Sequence, residues 1–421
     1  MFISHAAYPR EPLLRAALTL RSANGEHWRE REASLDPKVL LLRALSTPYE
    51  VIDSRVIDFA SHSTSVQPIR PFLEQHRARL EAAGGAGLCE LLGEWLKPER
   101  RLETVWDPVF GDLRRVHRDK VTEALERHAA LLGLKLQAEG FVEGEWSLSL
   151  GGEHRLRWGT WLLPPADGLS VRARTNEVCL ELRLGGTTRR VEGRRSEGKW
   201  VLDGAEALAT IDDPRLSVAF LPASVLIGPE YDSIRSLVAT EVPDAFRKAW
   251  SEALDLLAQH APRFSAWVKR FIRHIIPLRE DGTLRSNSYP DLPGQLQMSL
   301  STNPAAIAEM LIHESCHQHF FLANRFGPVH DGTDDTLYWS PVQQRGRHLR
   351  YILFAYHAFA NVVLYYRACR AAGIEPRDGF YEREEPQLLP QLEELEKPLR
   401  ESPALTALGR NLFEPLRSRI H

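Results

Sequence analysis

Residues 303–328 constrain the fold more than any other segment, because they place a His-Glu-x-x-His motif inside a sequence with helix signals at both ends. Asn303 is a favourable N-cap and Pro304 suits the first helical position. Gly327 followed by Pro328 is a typical helix stop. The segment therefore predicts one long helix with the motif near its middle.

The motif places metal-binding side chains at helical spacing. His313 and His317 are four residues apart, so both imidazoles leave the same helix face and can bind one ion. Zinc peptidases use a glutamate at the position of Glu314 to deprotonate water. The competing interpretation is that the two histidines are core residues held by hydrogen bonds. Because the surrounding helix is apolar, we predict a transition-metal site, and an enzyme rather than a binding module.

A third metal ligand has to come from elsewhere in the chain. The sequence after His317 lacks the His-x-x-Gly-x-x-His continuation of metzincins, and it contains no glutamate before Glu375, which a thermolysin-like site would need. One remaining candidate is Asp335, in a segment that fits the Gly-Thr-x-Asp-x-x-Tyr pattern of aspartate zinc peptidases. The competing interpretation of that segment is a solvated turn.

The other candidate is His357, in a predicted helix over residues 347–368. The centre of this helix is apolar on all sides except at His357 and Asn361, which predicts that it is buried and that both polar side chains have partners. Arg347 and Arg350 continue the same stripe, as in the wall of a polar cavity. A single core histidine is the competing interpretation, and we favour His357 as the ligand.

The remaining patterns predict an α+β protein, predominantly helical, with a small antiparallel β module. Apolar residues recur at helical spacing in two early segments and alternate in two later ones, and Gly185-Gly186 supplies a turn after the second of these. The helical segments are residues 70–96 and 114–134, and the alternating segments are EWSLSL and EVCLELRL. We predict a helical N-terminal region (1–138), the β module (139–222) and an HExxH metal-binding catalytic domain (223–421).

Bulk properties exclude several function classes. The formal net charge of -3 gives no reason to expect a nucleic acid or an anionic membrane as partner. Apolar runs are all too short to cross a bilayer, and the first 20 residues predict a helix rather than a signal peptide. The four cysteines lack any C-x-x-C spacing, which favours a cytoplasmic protein without a disulfide framework.

Three separated motifs resemble a known family, the HExxH-motif proteins encoded beside ribosomal peptide natural-product genes. They span residues 288–370 and follow in the same order. Their sequences are SYPDLPGQLQMSLSTNPAAIAEMLIHESCHQHFF, GPVHDGTDDTLYWSPV and AYHAFANV. This family includes 2-oxoglutarate-dependent peptide β-hydroxylases. The resemblance implies an iron(II) enzyme that hydroxylates the β-carbon of a residue in a precursor peptide, with a zincin-like domain around the motif.

The residues are compatible with that chemistry. His313, His317 and His357 would present three ligands on one face and leave positions for 2-oxoglutarate and dioxygen, while Asp335 would restore the usual two-histidine, one-carboxylate set. The distal carboxylate of 2-oxoglutarate needs a fixed cation, for which we favour Arg347 and place Arg350 second. A solvated arginine cluster is the competing interpretation.

In this chemistry Glu314 has no water to activate, and we expect it to orient a metal ligand or to position the substrate. The predicted strand QLQMSLS (295–301) precedes the metal helix, and we expect it to be a sheet edge to which an extended peptide is added. The region before residue 222 either recognises a leader or carrier segment of the peptide or serves as scaffold.

Two other function classes remain open at this point. The first is a zinc metallopeptidase with Glu314 as general base and Asp335 as a candidate ligand. The second is a protein with a degenerate, inactive metal site.

Overall fold

A computed structural model describes residues 60–61, 64, 69–96, 106–111, 113, 125–226, 231–280, 282–376 and 378–421. The protein is mixed α and β and about half helical, which confirms the predicted class at that level. The α-helices with described bounds are α1 (Ile69–Ala82), α2 (Ala86–Trp95), α3 (Leu125–Ala138), α4 (Asp244–His260), α5 (Pro262–Phe271), α6 (Pro304–Phe326), α7 (Leu349–Ala371), α8 (Phe380–Glu401) and α9 (Ala407–Ile420).

The strands form two larger and two smaller sheets. In chain order they are β1 (Gly144–His154), β2 (Arg157–Trp158), β3 (Trp161–Leu162), β4 (Ala166–Arg174), β5 (Glu177–Leu184), β6 (Thr187–Ser196), β7 (Lys199–Asp203), β8 (Glu206–Ala207), β9 (Thr210–Ile211), β10 (Val218–Phe220), β11 (His274–Leu278), β12 (Ser286–Ser288), β13 (Gln295–Ser299), β14 (Leu337–Ser340) and β15 (Arg345–His348). Short 3-10 helices cover Ala223–Val225 and Arg235–Leu237.

An antiparallel sheet and the first helices share one hydrophobic core. The strand order is β1-β4-β5-β6-β7, and Gly185 and Gly186 both have positive φ angles in the tight turn between β5 and β6. Helices α1, α2 and α3 cover the apolar face of this sheet. The Trp146 indole of β1 donates to Gln137 Oε1 of α3 at 2.8 Å. The predicted boundary at residue 138 therefore separates two layers of a single core.

Only part of the predicted N-terminal helices can be compared with the structure. The helical pattern of residues 70–96 forms α1 and α2, which are interrupted at Gly84 and Gly85. The pattern of residues 114–134 is described from Leu125 onward, where α3 begins. The helix predicted in the first 20 residues lies outside the described residues, as do residues 114–124.

A second, mixed sheet lies beneath the motif helix, in the order β12-β13-β11-β10-β9. Strands β13, β11 and β10 run parallel, whereas β12 and β9 are antiparallel to their neighbours. The predicted β module is therefore wrong at its C-terminal end, because β9 and β10 belong to this sheet and not to the antiparallel one. Parallel pairing joins residues that are distant in sequence, so local alternation does not reveal it.

The prediction that QLQMSLS is an edge strand is also wrong. Its first five residues form β13, which lies between β11 and β12 and has both faces buried. Gln295 and Gln297 are buried as well, although their side chains suggested a solvent-facing side. The edge next to the motif helix is the three-residue strand β12.

Three helices pack directly against the motif helix, and two more pack behind one of them. Helix α6 packs against α4, α5 and α7, and α7 in turn packs against α8 and α9. Helix α9 follows α8 along the chain. None of the helices in the described part of the chain is long and apolar enough to cross a membrane.

Gln318 ties the motif helix to two other parts of the molecule. Its buried Oε1 accepts hydrogen bonds from Trp106 Nε1 at 2.7 Å and from the backbone N–H of Gly294 at 3.0 Å. Gln318→Leu leaves two buried donors without an acceptor, so we expect a loss of about 2–4 kcal/mol in the free energy of unfolding. The free energy of unfolding is measured by urea denaturation, with a substitution of the exposed Gln343, Gln343→Leu, as control. A loss no larger than that of the control would contradict this role.

Glu309, one helical turn before the motif, makes stability depend on pH. Burial raises its pKa to about 7, although the Tyr366 hydroxyl donates a hydrogen bond to it. A carboxyl whose pKa is higher in the folded state than in the unfolded chain costs stability as pH rises from about 4.5 to about 7. We expect Glu309→Gln to match wild type at pH 4.5 and to exceed it by about 1–2 kcal/mol at pH 8, allowing for partial exposure.

The measurement is urea denaturation of both proteins at several pH values, with the exposed Glu382→Gln as control. A difference between Glu309→Gln and wild type that stays constant between pH 4.5 and pH 8 would show that Glu309 does not titrate in this range.

Candidate metal centre

The motif helix begins and ends as its sequence predicts. The Asn303 side chain accepts hydrogen bonds from the backbone N–H groups of Ala305 at 2.9 Å and Ala306 at 3.5 Å, and Pro304 is the first helical residue. Gly327 follows the last turn. Because α6 is enclosed by other helices and by β12, the motif lies in the protein interior.

His313, Glu314 and His317 form a compact group. One ligand atom from each lies within 4.8 Å of the others, and the two imidazole centroids are 4.4 Å apart. Burial lowers the pKa of His313 to about 4 and that of His317 well below its usual value, where the neighbouring His313, His357 and Arg347 add to the effect. Both rings are therefore neutral at physiological pH, which is the form that binds a metal.

Aromatic rings fix the two imidazoles. Phe354 of α7 is stacked on His317 with centroids 3.9 Å apart and planes within 11°. The ring centroid of Phe359 is 5.3 Å from that of His313. These contacts hold each ring in one orientation and restrict the access of water, as a metal site of defined geometry requires.

Glu314 is completely buried, and the hydroxyls of Ser286 and Ser288 on β12 act on its carboxylate. Burial raises its pKa to about 7, while the hydroxyls of Ser286 and Ser288 on β12 oppose this rise. Glu314 therefore changes charge near neutral pH. The two serines were missed in the sequence, because only the pairing of β12 with β13 places them beside the motif.

His357 is buried in α7 against the motif helix, but it is not part of the compact group. Its ring is 5.4 Å from that of His319, and burial lowers its pKa to about 3. Its Nδ1 has no hydrogen-bond partner among the described residues, and the ring is close enough to His317 to lower the pKa of that residue. Asn361 donates to the backbone carbonyl of His357 at 2.7 Å, not to its imidazole.

Asp335 is exposed and also lies outside the group. Its neighbour Asp334 holds the loop instead, by accepting hydrogen bonds from the hydroxyls of Tyr338 and Ser402, each at 2.7 Å. The segment thus has the geometry of a side-chain-stabilised turn.

Arg347 lies on β15 and not on the helix predicted to contain it, because α7 begins only at Leu349. Its guanidinium is partly buried, 4.5 Å from the centre of the Tyr351 ring, and its charge lowers the pKa of His317. It makes no ion pair with any described residue, and burial together with Arg345 lowers its own pKa.

Arg350 has a different environment. It is exposed, in the first turn of α7, and donates a hydrogen bond to the Tyr351 hydroxyl at 2.8 Å. Of the two arginines, Arg347 is therefore the one whose charge acts on the motif.

Comparison with known proteins does not identify the chain, since no family model and no curated protein sequence matches it. The resemblance noted over residues 288–370 stays a prediction, and the functional argument depends on the geometry of the site.

Proposed function

We propose that this protein is an iron(II)- and 2-oxoglutarate-dependent enzyme that hydroxylates the β-carbon of a residue in a ribosomally synthesised precursor peptide. The observation that carries the proposal is Arg347. A partly buried guanidinium without an ion-pair partner among the described residues acts on His317, a predicted metal ligand. 2-Oxoglutarate would bring a carboxylate to this cation.

The side chains fit a metal ion. His313 and His317 offer neutral imidazoles, and we propose His357 as the third ligand, because it is buried, neutral and electrostatically coupled to His317. His317 and His357 each have a buried ring nitrogen with no hydrogen-bond partner in the described part of the chain. Imidazole ligands suit iron as well as zinc, and three of them leave positions open for further ligands. Bound iron(II) would supply the hydroxylating chemistry, with dioxygen as the oxidant and 2-oxoglutarate as the co-substrate that is oxidised to succinate and carbon dioxide.

Arg347 would hold the distal carboxylate of 2-oxoglutarate. A guanidinium binds a carboxylate through two parallel hydrogen bonds, and this pairing is stronger where water is partly excluded. The Tyr351 ring beneath it keeps the side chain in place. Arg350, which is exposed, is the weaker candidate.

Glu314 would act through its hydrogen bonds and not on a water molecule. Without a metal, burial raises the pKa of its carboxyl to about 7; a bound cation would favour the charged form, which accepts hydrogen bonds from a neighbouring ligand or from the peptide. The hydroxyls of Ser286 and Ser288 favour its charged form. Orientation of a metal ligand by such a carboxyl is common in metal sites.

The sheet supports a zincin-like architecture for the domain around the motif. Its strands are mixed, the strand beside the motif helix is an antiparallel edge, and the motif helix follows the neighbouring interior strand. We propose β12 as the edge to which the peptide is added, since it contacts α6 and carries the serines near Glu314. The N-terminal helices and antiparallel sheet would recognise a leader or carrier segment of that peptide.

A zinc metallopeptidase is the second candidate, and Glu314 favours it. A carboxyl with a pKa of about 7 beside two histidines is suited to act as general base. The exposure of Asp335 and its position outside the group count against its role as the third ligand of such a site.

The two functions differ in what they consume. Purified protein is incubated in air with iron(II), 2-oxoglutarate and ascorbate, and succinate is quantified; slow formation without peptide is expected, and it stops when zinc replaces iron. If the zinc form releases fragments from a peptide library and the iron form produces no succinate, the peptidase is favoured over the oxygenase.

A further inference from the structure

The hairpin of β14 and β15 carries an apolar surface that the described part of the chain leaves uncovered. Three large apolar side chains of this hairpin are exposed: Leu337 (60%), Trp339 (55%) and, in the connecting loop, Val342 (37%). Elsewhere among the described residues, exposed side chains of this kind occur only at Val201 and Leu284. Single exposed apolar residues are common in soluble proteins, whereas a group of neighbouring ones marks an interaction surface.

The strand register places Leu337 and Trp339 on the same face of the hairpin. Side chains two residues apart in a strand point to the same side, and Trp339 pairs with Gly346 of β15, which has no side chain to cover the indole. The opposite face is turned toward the protein, because Ser340 on that face is completely buried. The outer face is therefore apolar and open.

The same segment is positively charged. Residues 337–350 contain three arginines and no carboxylate. Arg345 and Arg350 are exposed, and neither forms an ion pair with a described residue; Arg350 donates a hydrogen bond to the neutral hydroxyl of Tyr351. Of the two aspartates that precede β14, Asp334 is held by hydroxyl groups, and Asp335 is exposed without an ion pair to these arginines. Both guanidinium groups are available to carboxylates of a partner.

The hairpin lies next to the motif. Strand β15 ends at His348, helix α7 begins at the next residue, and both strands contact α7. Phe354, six residues after His348, is stacked on His317. Six helical residues correspond to about 9 Å along the helix axis. About three residues of an extended peptide span this distance, so a peptide with one residue at the motif has its neighbours within reach of the hairpin.

We propose that the outer face of this hairpin binds a segment of the peptide substrate that combines acidic and apolar side chains. The apolar side chains would cover Trp339 and Leu337, and the carboxylates would pair with Arg345 and Arg350. The peptide is the substrate of the function proposed above, on which this inference rests. Strand β12 would hold the reacting segment, and the hairpin would hold the residues beside it.

The test is binding of synthetic fluorescein-labelled peptides to the full-length, metal-free protein, followed by fluorescence anisotropy. One peptide alternates Glu with Leu and Phe. A second has Lys in place of every Glu, and a third has Ser in place of every Leu and Phe. We expect the first peptide to bind at least ~10-fold more tightly than either of the others, because only it matches both the charge and the apolar surface.

Trp339→Thr is expected to weaken binding of the first peptide at least ~10-fold, because aromatic side chains carry much of the binding energy of an interface. The matched control is Val201→Thr, which replaces a similarly exposed apolar residue of β7 and is expected to leave binding unchanged. Arg345→Gln is expected to weaken binding ~3-fold or more at low ionic strength and less at high ionic strength. Leu337→Thr is measured in parallel, and circular dichroism verifies that every variant is folded.

Equal affinity for the three peptides would overturn the proposal, as would equal affinity of Val201→Thr and the folded hairpin variants for the first peptide. Self-association of wild type, or its sedimentation with phosphatidylserine vesicles, would also overturn it if Trp339→Thr abolishes the effect, since a second copy or a membrane would then occupy the surface. Binding is measured without metal and is therefore independent of turnover. The expected binding pattern without succinate formation would support this surface and contradict only the proposed function.

Discussion

His317→Ala is expected to lose iron(II) binding by at least ~100-fold, because the substitution removes one of two imidazoles that converge on the same point. His317 is buried, neutral and stacked on Phe354, so its ring is already in the protonation state and orientation that a ligand requires. Binding is measured by equilibrium dialysis of anaerobic protein with iron(II), and with zinc in a parallel series.

The matched control is His260→Ala, which removes a partly exposed histidine at the end of α4. Circular dichroism and urea denaturation verify that both variants are folded. If His317→Ala retains the stoichiometry and affinity of the control for both metals, the motif is not the metal site, and its histidines are core residues.

Arg347→Met is expected to weaken 2-oxoglutarate binding by ~30-fold or more, equivalent to about 2–4 kcal/mol, while iron(II) affinity stays unchanged. The reason is that Arg347 is partly buried and without an ion-pair partner in the described part of the chain. Arg347→Lys keeps the charge but loses the paired geometry, and we expect an intermediate value. Affinity is measured by titrating the anaerobic iron(II) protein with 2-oxoglutarate.

Arg350→Met is the control for this prediction, because Arg350 is three residues away, exposed and bonded to Tyr351. Its affinity for 2-oxoglutarate is expected to remain within ~2-fold of wild type. A larger loss in Arg350→Met than in Arg347→Met would reverse the assignment. If both variants bind 2-oxoglutarate as tightly as wild type, Arg347 does not hold its carboxylate, and the main support for the oxygenase proposal is lost.

The motif helix could be predicted from the sequence because its signals are local. The Asn303 cap, Pro304 and Gly327 lie where the helix begins and ends, and the spacing of His313 and His317 places both on one face. The strands β1 and β5 were likewise predictable, because one face of their sheet is buried and the other is solvated.

The predictions that were wrong concern the pairing of strands that are far apart in the sequence. Alternating Gln and Leu in β13 suggested an edge, but both faces of this strand are buried within the sheet. Arg347 continues the helical stripe of α7 in sequence, yet it pairs with Tyr338 in the hairpin of β14 and β15, where α7 has not yet begun. The local pattern of polar and apolar residues does not show which strands pair with β13 or with β15.

The position of His357, the proposed third ligand, shows the same limit. Burial of His357 could be predicted from the apolar surroundings of its helix, and the structure places it against the motif helix. Its distance from the motif depends on how α7 packs on α6, which the sequence of either helix alone does not determine.

One measurement tests the central claim directly. Metal-free protein is titrated under anaerobic conditions with iron(II) and then with 2-oxoglutarate, and the weak visible charge-transfer band of the chelate is recorded in wild type, His357→Ala and Asp335→Ala. We predict that the band forms in wild type and in Asp335→Ala and is lost in His357→Ala. Absence of the band in wild type, together with stoichiometric binding of zinc, would contradict the oxygenase and favour the peptidase.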